Sequence, residues 1–375
     1  MSARIKSRVR QALGGAGLMS ASGFAAAEYG LNLPRGVTSI AQEAYSLHML
    51  ILWVCIAIGV AVFGTMFYSI VKHRKSKGAV AAQFHESTAV EVAWTIIPFL
   101  ILIGMAIPAT RALIAMEDAS NSDLSIKVTG YQWKWQYEYL DEDVSFFSNL
   151  ATPKEEIFNQ AEKNPTYLLE VDKPVVVPVG KKVRLLITAN DVIHAWWVPE
   201  LGMKRDAVPG FVNEMWFNID TPGIYRGQCA ELCGKDHAYM PIVVEAKEQA
   251  EYESWLADQR QTAAVAAADS DREFNRDELM TRGEAVYAAN CTACHQANGE
   301  GVPGAFPALK GGAITTGPIE DHLEIVLNGK PGTAMAAFGN QLNDADIAAV
   351  VTYERNAWGN DMNDIVQPID VRSAR

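Results

Sequence analysis

Between Cys229 and Met240 the chain reads Cys229-Ala230-Glu231-Leu232-Cys233-Gly234-Lys235-Asp236-His237-Ala238-Tyr239-Met240, which puts two thiols, an imidazole and a thioether on one short run. Thiolate with thioether is a soft donor set that selects copper over zinc or the hard cations. A second run, Cys291-Thr292-Ala293-Cys294-His295, has the spacing of covalent haem c attachment. Structural zinc would want two more Cys or His at short spacing there, and none follows. A soft copper site and a c-type haem on one chain predict the movement of single electrons.

Copper that cycles between two oxidation states needs ligands both states tolerate, and imidazole, thiolate and a weak thioether meet that need. One Cys suffices for a mononuclear site, whereas two Cys four residues apart with two His can bridge a copper pair. The second His is His194, in Val192-Ile193-His194-Ala195-Trp196-Trp197, read as the end of an apolar strand. In an oxidising compartment Cys229 and Cys233 could instead form a disulfide. That reading leaves His194, His237 and Met240 without a task. Cys55, inside an apolar run, is expected to be a small buried hydrophobe.

These residues need elements to position them. A chain of 375 residues predicts two or three domains. Its net charge of −12 argues against nucleic acid and for cationic partners. Residues 1–27 read as an export signal: Arg4, Lys6, Arg8 and Arg10, a small-residue stretch, then Ala25-Ala26-Ala27 as cleavage site. A cytoplasmic tail is the competing reading. A transmembrane hairpin follows over 28–117, with spans at about 47–71 and 92–116, each long enough to cross a bilayer. The basic loop Lys72-His73-Arg74-Lys75 between them stays in the cytoplasm, so everything after residue 117 lies outside.

From 118 to 246 the pattern is short β-branched or alternating runs, including Leu124 to Thr129, Val175 to Val177, Lys182 to Thr188 and Met215 to Ile219. Such runs, broken by turn residues, predict a sandwich or barrel. Residues 141–165 are expected as a polar loop with one short helix, and 247–275 as a linker with no core of its own. Short helices around the CxxCH motif fill 276–360, and 361–375 is a tail. His322 is expected on a helix surface.

The run Cys-x-Glu-x-Cys-x3-His-x2-Met, the segment Ile187 to His194, the stretch Glu91-Val92-Ala93-Trp94-Thr95-Ile96-Ile97-Pro98 and the aromatic segment Tyr131 to Tyr139 together resemble subunit II of cytochrome c oxidase. The C-terminal part resembles the haem c domain fused to this subunit in caa-type oxidases. The resemblance implies a membrane hairpin, a cupredoxin-like β-sandwich and an all-α class I cytochrome c domain. It implies a dinuclear CuA centre held by His194, Cys229, the Glu231 carbonyl, Cys233, His237 and Met240. The Glu231 side chain would face a magnesium ion shared with subunit I. Trp133 would receive electrons for CuA, and Glu91 would stand at the mouth of a proton pathway into subunit I. A solvated helix-end carboxylate is the plain alternative for Glu91.

Haem c would be held by Cys291, Cys294 and His295, with Met335 or Met362 as the sixth ligand. Met335 is preferred, because Gly329 to Phe338 resembles the axial-Met loop of class I cytochromes c. The implied partners are subunit I, subunit III, a soluble or membrane-bound cytochrome c donor and the lipid bilayer of a bacterial inner membrane, with both soluble domains on the periplasmic side. Oxygen reduction and proton translocation would belong to subunit I. One departure is Lys134, a cation where an aromatic is usual, which disfavours a basic docking patch beside Trp133 and leaves docking to the fused domain. The competing functions are a nitrous or nitric oxide reductase subunit and a membrane-anchored copper store. The hairpin and the Glu91 and Trp133 motifs speak against the first, and the haem against the second.

Overall fold

The computed structural model describes residues 32–83 and 85–375, so the expected export signal over 1–27 lies outside the described residues. The chain divides into two compact units, one ending at Ala112 and one running from Leu113 to Arg375.

The first unit holds helix α1 (Ser39–Lys72) and most of helix α2 (Thr88–Glu117). Thr38 caps α1 by accepting from the Ala41 amide at 3.0 Å, satisfying an amide the helix cannot pair itself. Both helices exceed the roughly 20 apolar residues a bilayer requires, and between them they expose Trp53, Phe63, Trp94 and Phe99 along their length. Apolar surface of that extent is stable only against lipid or protein. The helices run beyond the expected spans at each N-terminal end.

The second unit opens with a sandwich of two five-stranded sheets. One holds β1 (Leu124–Tyr131), β2 (Lys134–Tyr139), β3 (Val144–Ser148), β5 (Lys182–Ala189) and β8 (Asn213–Asn218), in the order β3-β2-β1-β5-β8. The other holds β4 (Val175–Pro178), β6 (His194–Val198), β7 (Met203–Ala207), β9 (Gly223–Cys229) and β10 (Pro241–Lys247), in the order β4-β10-β9-β6-β7. A single-turn helix, α3 (Lys154–Ile157), lies on the polar stretch between β3 and β4. Alternation drives the sheet packing: Val183, Leu185 and Ile187 of β5 and Trp135, Tyr137 and Tyr139 of β2 point inward and are buried. Each aliphatic burial stabilises by about 1.5–3 kcal/mol, and a one-residue slip would turn the set outward. Tyr139 ties the sheets together, its hydroxyl donating to the Val176 carbonyl at 2.7 Å and accepting from the Val176 amide at 2.9 Å.

Four expectations change. Cys55 is exposed on α1 and not buried, because the apolar faces of this helix have no protein partner among the described residues of the first unit. Residues 247–275 are no bare linker: helix α4 (Gln249–Asp269) buries Tyr252 and Leu256, and Trp255 packs 5.3 Å from the Tyr139 ring. Tyr252, Trp255 and Leu256 fall at i, i+3 and i+4, one apolar stripe, and the Ala-rich second half is intrinsically helical. Residues 361–375 are not a loose tail, since Val366 and Val371 enter the core of the C-terminal domain. His322 is not a surface residue. It is buried, with Nε2 2.8 Å from Glu354 Oε2.

That C-terminal domain is helical. Helix α5 (Arg276–Asn290), started by an Asn275/Glu278 capping box, packs with helix α8 (Asp344–Asn356) around Leu279, Tyr287, Ala345, Ala348 and Val350. Between them lie α6 (Thr292–His295) and α7 (Ile319–Asn328), and α9 (Pro368–Ala374) closes the domain.

Candidate copper and haem centres

The sulfur-rich loop is closed by the sheet that carries it. Cys229 is the last residue of β9, and its amide bonds to the Met240 carbonyl at 3.2 Å, while the Ala230 amide bonds to the Ala195 carbonyl at 3.0 Å. The chain therefore leaves β9 at Cys229 and returns at Met240 beside it. His194 starts the neighbouring strand β6, in which Trp196 pairs with Cys229. The run from Ile187 to His194 is thus not one strand; Asn190 and Asp191 turn it. Asp191 Oδ1 accepts from the Val192 amide at 2.7 Å, just beyond the end of β5 at Ala189.

Five side chains converge. The Cys229 and Cys233 sulfurs lie 3.8 Å apart as free thiols. His194 Nδ1 is 3.9 Å from the first, and His237 Nδ1 and Met240 Sδ are each 3.5 Å from the second. The Glu231 carbonyl accepts from Cys229 at 3.3 Å, with its side chain exposed. Among the described residues the cluster is sulfur and imidazole, and two sulfurs flanked by imidazole and thioether fit copper.

The first thiol proton is lost easily, because the Cys229 anion accepts from Cys233, which holds its pKa well below the usual thiol range. The second is held tightly, because the Cys233 thiol donates to that anion and a second thiolate would sit against it, so its pKa rises. Both deprotonate together only when positive charge arrives between them, so metal binding here releases protons.

Sequence reasoning missed Asp191. Its carboxylate accepts from His194 Nε2 at 2.9 Å, turning Nδ1 toward the sulfurs, and its other oxygen accepts from the Gln132 amide at 2.7 Å. Burial opposes charge on His194, but the bonds to Asp191 and Cys229 outweigh it and lift its pKa to about 8. The signal was legible: an Asn-Asp pair inside a supposed strand predicts a turn. Gly130 makes room, since a Cβ there would stand 2.8 Å from the His194 ring.

Trp133 sits in the two-residue turn between β1 and β2, where Tyr131 pairs with Lys134. Its Nε1 donates to the Cys233 carbonyl at 3.2 Å, as does Gln132 Nε2 at 2.8 Å. Gly234, at φ +120°, lies flat on this pair: a Cβ would be 3.0 Å from both Gln132 Nε2 and Trp133 Cζ2. Lys134 follows, its ammonium pushed down to about 8 by burial. Glu91 occupies the first turn of α2.

In the helical domain the CxxCH motif forms one turn, α6, with the His295 amide bonded to the Cys291 carbonyl at 3.0 Å. Spacing of i, i+3 and i+4 puts both sulfurs and the imidazole on one face. His295 is buried, and its Nδ1 lies 2.9 Å from the Pro307 carbonyl, which fixes the ring and leaves Nε2 free to bind metal. Met335 is half-buried in a loop pinned by the Lys330 amide donating to the Met335 carbonyl at 3.1 Å. The donors fit haem c.

Residues 26–111 match the family described as cytochrome c oxidase subunit II, transmembrane domain, and 124–247 its periplasmic domain. Residues 278–353 match cytochrome c oxidase, cbb3-type, subunit III. The cytochrome c oxidase subunit 2 of Cereibacter sphaeroides is 35% identical over 273 residues, covering 66% of this chain and 90% of that protein. This chain belongs to the cytochrome c oxidase subunit 2 family. A probable subunit 2 of Rickettsia felis is 38% identical over 224 residues, 60% of this chain and 70% of that protein. The solved periplasmic domain of subunit II of cytochrome oxidase from Bradyrhizobium japonicum is 42% identical and covers 38% of this chain and 98% of that one, with a TM-score of 0.35. The chain is a CuA subunit with a fused C-terminal cytochrome c domain, part of a terminal oxidase, membrane-bound with periplasmic domains, and it has an electron-input role.

Proposed function

We propose that the two soluble domains form an ordered relay, with cytochrome c as donor to the C-terminal domain and subunit I as acceptor from the copper domain. When bound, haem c and dinuclear copper supply reversible one-electron chemistry at low reorganisation. His194, Cys229, the Glu231 carbonyl, Cys233, His237 and Met240 would hold the copper, and Cys291, Cys294, His295 and Met335 would hold the haem. Asp191 orients His194, and Trp133, bonded to the Cys233 carbonyl, is the aromatic through which electrons reach the copper loop. The exposed Glu231 side chain is free to face a magnesium ion at the subunit I boundary. Glu91, at the cytoplasmic start of α2, receives protons for the pathway into subunit I, where oxygen is reduced and protons are translocated; an ionisable group at a membrane helix end is a functional suspect. Subunit III completes the complex, in a bacterial inner membrane.

The observation that carries this reading is the convergence of five soft or imidazole donors around Cys229 and Cys233. Metal analysis of the purified oxidase should find about two coppers in this subunit per haem c, the count that a bridging thiolate pair holds. In Cys229→Ser the mixed-valence copper signal should vanish from the electron paramagnetic resonance spectrum while the haem c bands persist. A variant that keeps the signal sinks the assignment.

A further inference from the structure

Two lysines of the copper domain end on the haem domain. Lys235 stands in the copper loop between Cys233 and His237, and its Nζ donates to the Ala293 carbonyl at 3.0 Å, inside the CxxCH motif itself. The same Nζ lies 5.7 Å from the centre of the Trp133 ring and 5.4 Å from that of Phe306. Lys134 Nζ donates to Asn290 Oδ1 at 3.3 Å, one residue before Cys291. It lies 4.6 Å from the ring centre of Phe147 in the sandwich and 5.6 Å from that of Phe338 in the Met335 loop.

We propose that Lys134 and Lys235 are a two-point latch that seats the chain's own CxxCH turn on the Trp133 face, reserving that face for the fused domain rather than an external donor. The inference rests on the copper and haem reading of the two motifs. Neither contact is a generic surface ion pair. Lys235 makes a charge-assisted bond to a main-chain carbonyl, roughly twice as strong as a neutral one. Lys134 is half-buried, and the loss of water around its ammonium costs free energy and lowers its pKa. Its cation is tolerated where Asn290 and the faces of Phe147 and Phe338 replace water, and a small shift of the haem domain loses Asn290 and Phe338 together.

The test is hydrogen–deuterium exchange on the intact oxidase, following peptides that span 131–135 and 290–295. In Lys134→Glu/Lys235→Glu we expect both peptides to exchange at least tenfold faster, with copper and haem spectra retained and a β5 peptide unchanged as the folding control. Electron equilibration between the two centres, triggered by a flash, should slow at least tenfold in the same variant, and Lys235→Arg should restore both readouts when placed beside wild-type Lys134. Unchanged exchange in both peptides overturns the latch. Exchange depends on neither metal's redox role, so a failed copper assay on the parent protein refutes the relay and leaves this result readable.

Discussion

The two metal motifs of this chain are built in opposite ways. In the copper domain, His194 stands on one strand, Cys229 ends another, and the remaining donors lie on the loop leading into a third. No single element carries the site, and it exists only because the sheet registers bring β6 beside β9. In the haem domain, the sulfurs of Cys291 and Cys294 and the His295 imidazole share one helical turn, and only Met335, the proposed sixth ligand, comes from elsewhere. The copper site therefore depends on tertiary structure and on the bonds behind its ligands. The haem site depends on one turn and one loop.

This contrast makes Asp191 the sharpest point of attack on the copper side. Asp191→Asn removes the carboxylate behind His194 and should weaken copper binding by about 10–100-fold, the usual cost of losing a partner behind a metal ligand. Competition with a calibrated chelator on the full chain measures it. The haem bands should not move. Unaltered copper affinity would mean that strand register alone orients His194, and the comparison would lose its main support.

On the haem side the corresponding weak point is the loop. Met335→Leu should leave both thioether bonds and His295 in place but lower the haem potential, because thioether ligation raises it relative to the alternatives. A fall of at least about 59 mV, tenfold in a one-electron equilibrium, is expected from a redox titration. Met362→Leu should change nothing. If the effects are reversed, the sixth ligand has been misassigned and the loop is only packing.

Local construction on one side and distributed construction on the other also decide what the amino-acid sequence reveals. CxxCH and the Cys229–Met240 run are local, and chemistry alone names their metals. The spans and the alternating strands Leu124–Tyr131 and Lys182–Ala189 are legible because their periods are strong. What escapes depends on partners distant in sequence. His194 is visible as a ligand, but the turn that aims it requires Asp191 to stand between Gln132 and the imidazole. The helix Gln249–Asp269 is masked by its charges, since three apolar side chains suffice once Tyr139 and Phe146 receive Trp255. His322 looks like a surface residue because nothing in its own helix announces Glu354, thirty-two positions away.

Helix α4 supplies the smallest expected effect, and it separates packing from charge at the edge of the copper domain. Tyr252, Trp255 and Leu256 anchor its first half to the sandwich, and Arg260 adds an ion pair with Glu142. The guanidinium is more exposed than buried, so screening and side-chain entropy consume most of the Coulomb gain. Arg260→Ala should cost under about 1 kcal/mol, lowering the thermal midpoint of the copper domain by no more than about 2–4 °C. The latch should be unaffected, because Lys134 and Lys235 reach Asn290 and Ala293 without involving this pair. A larger drop, or faster exchange over 290–295, would mean that the helix sets the pose of the haem domain through its charge. The seat on Trp133 would then be a consequence of the connection and not of the two lysines.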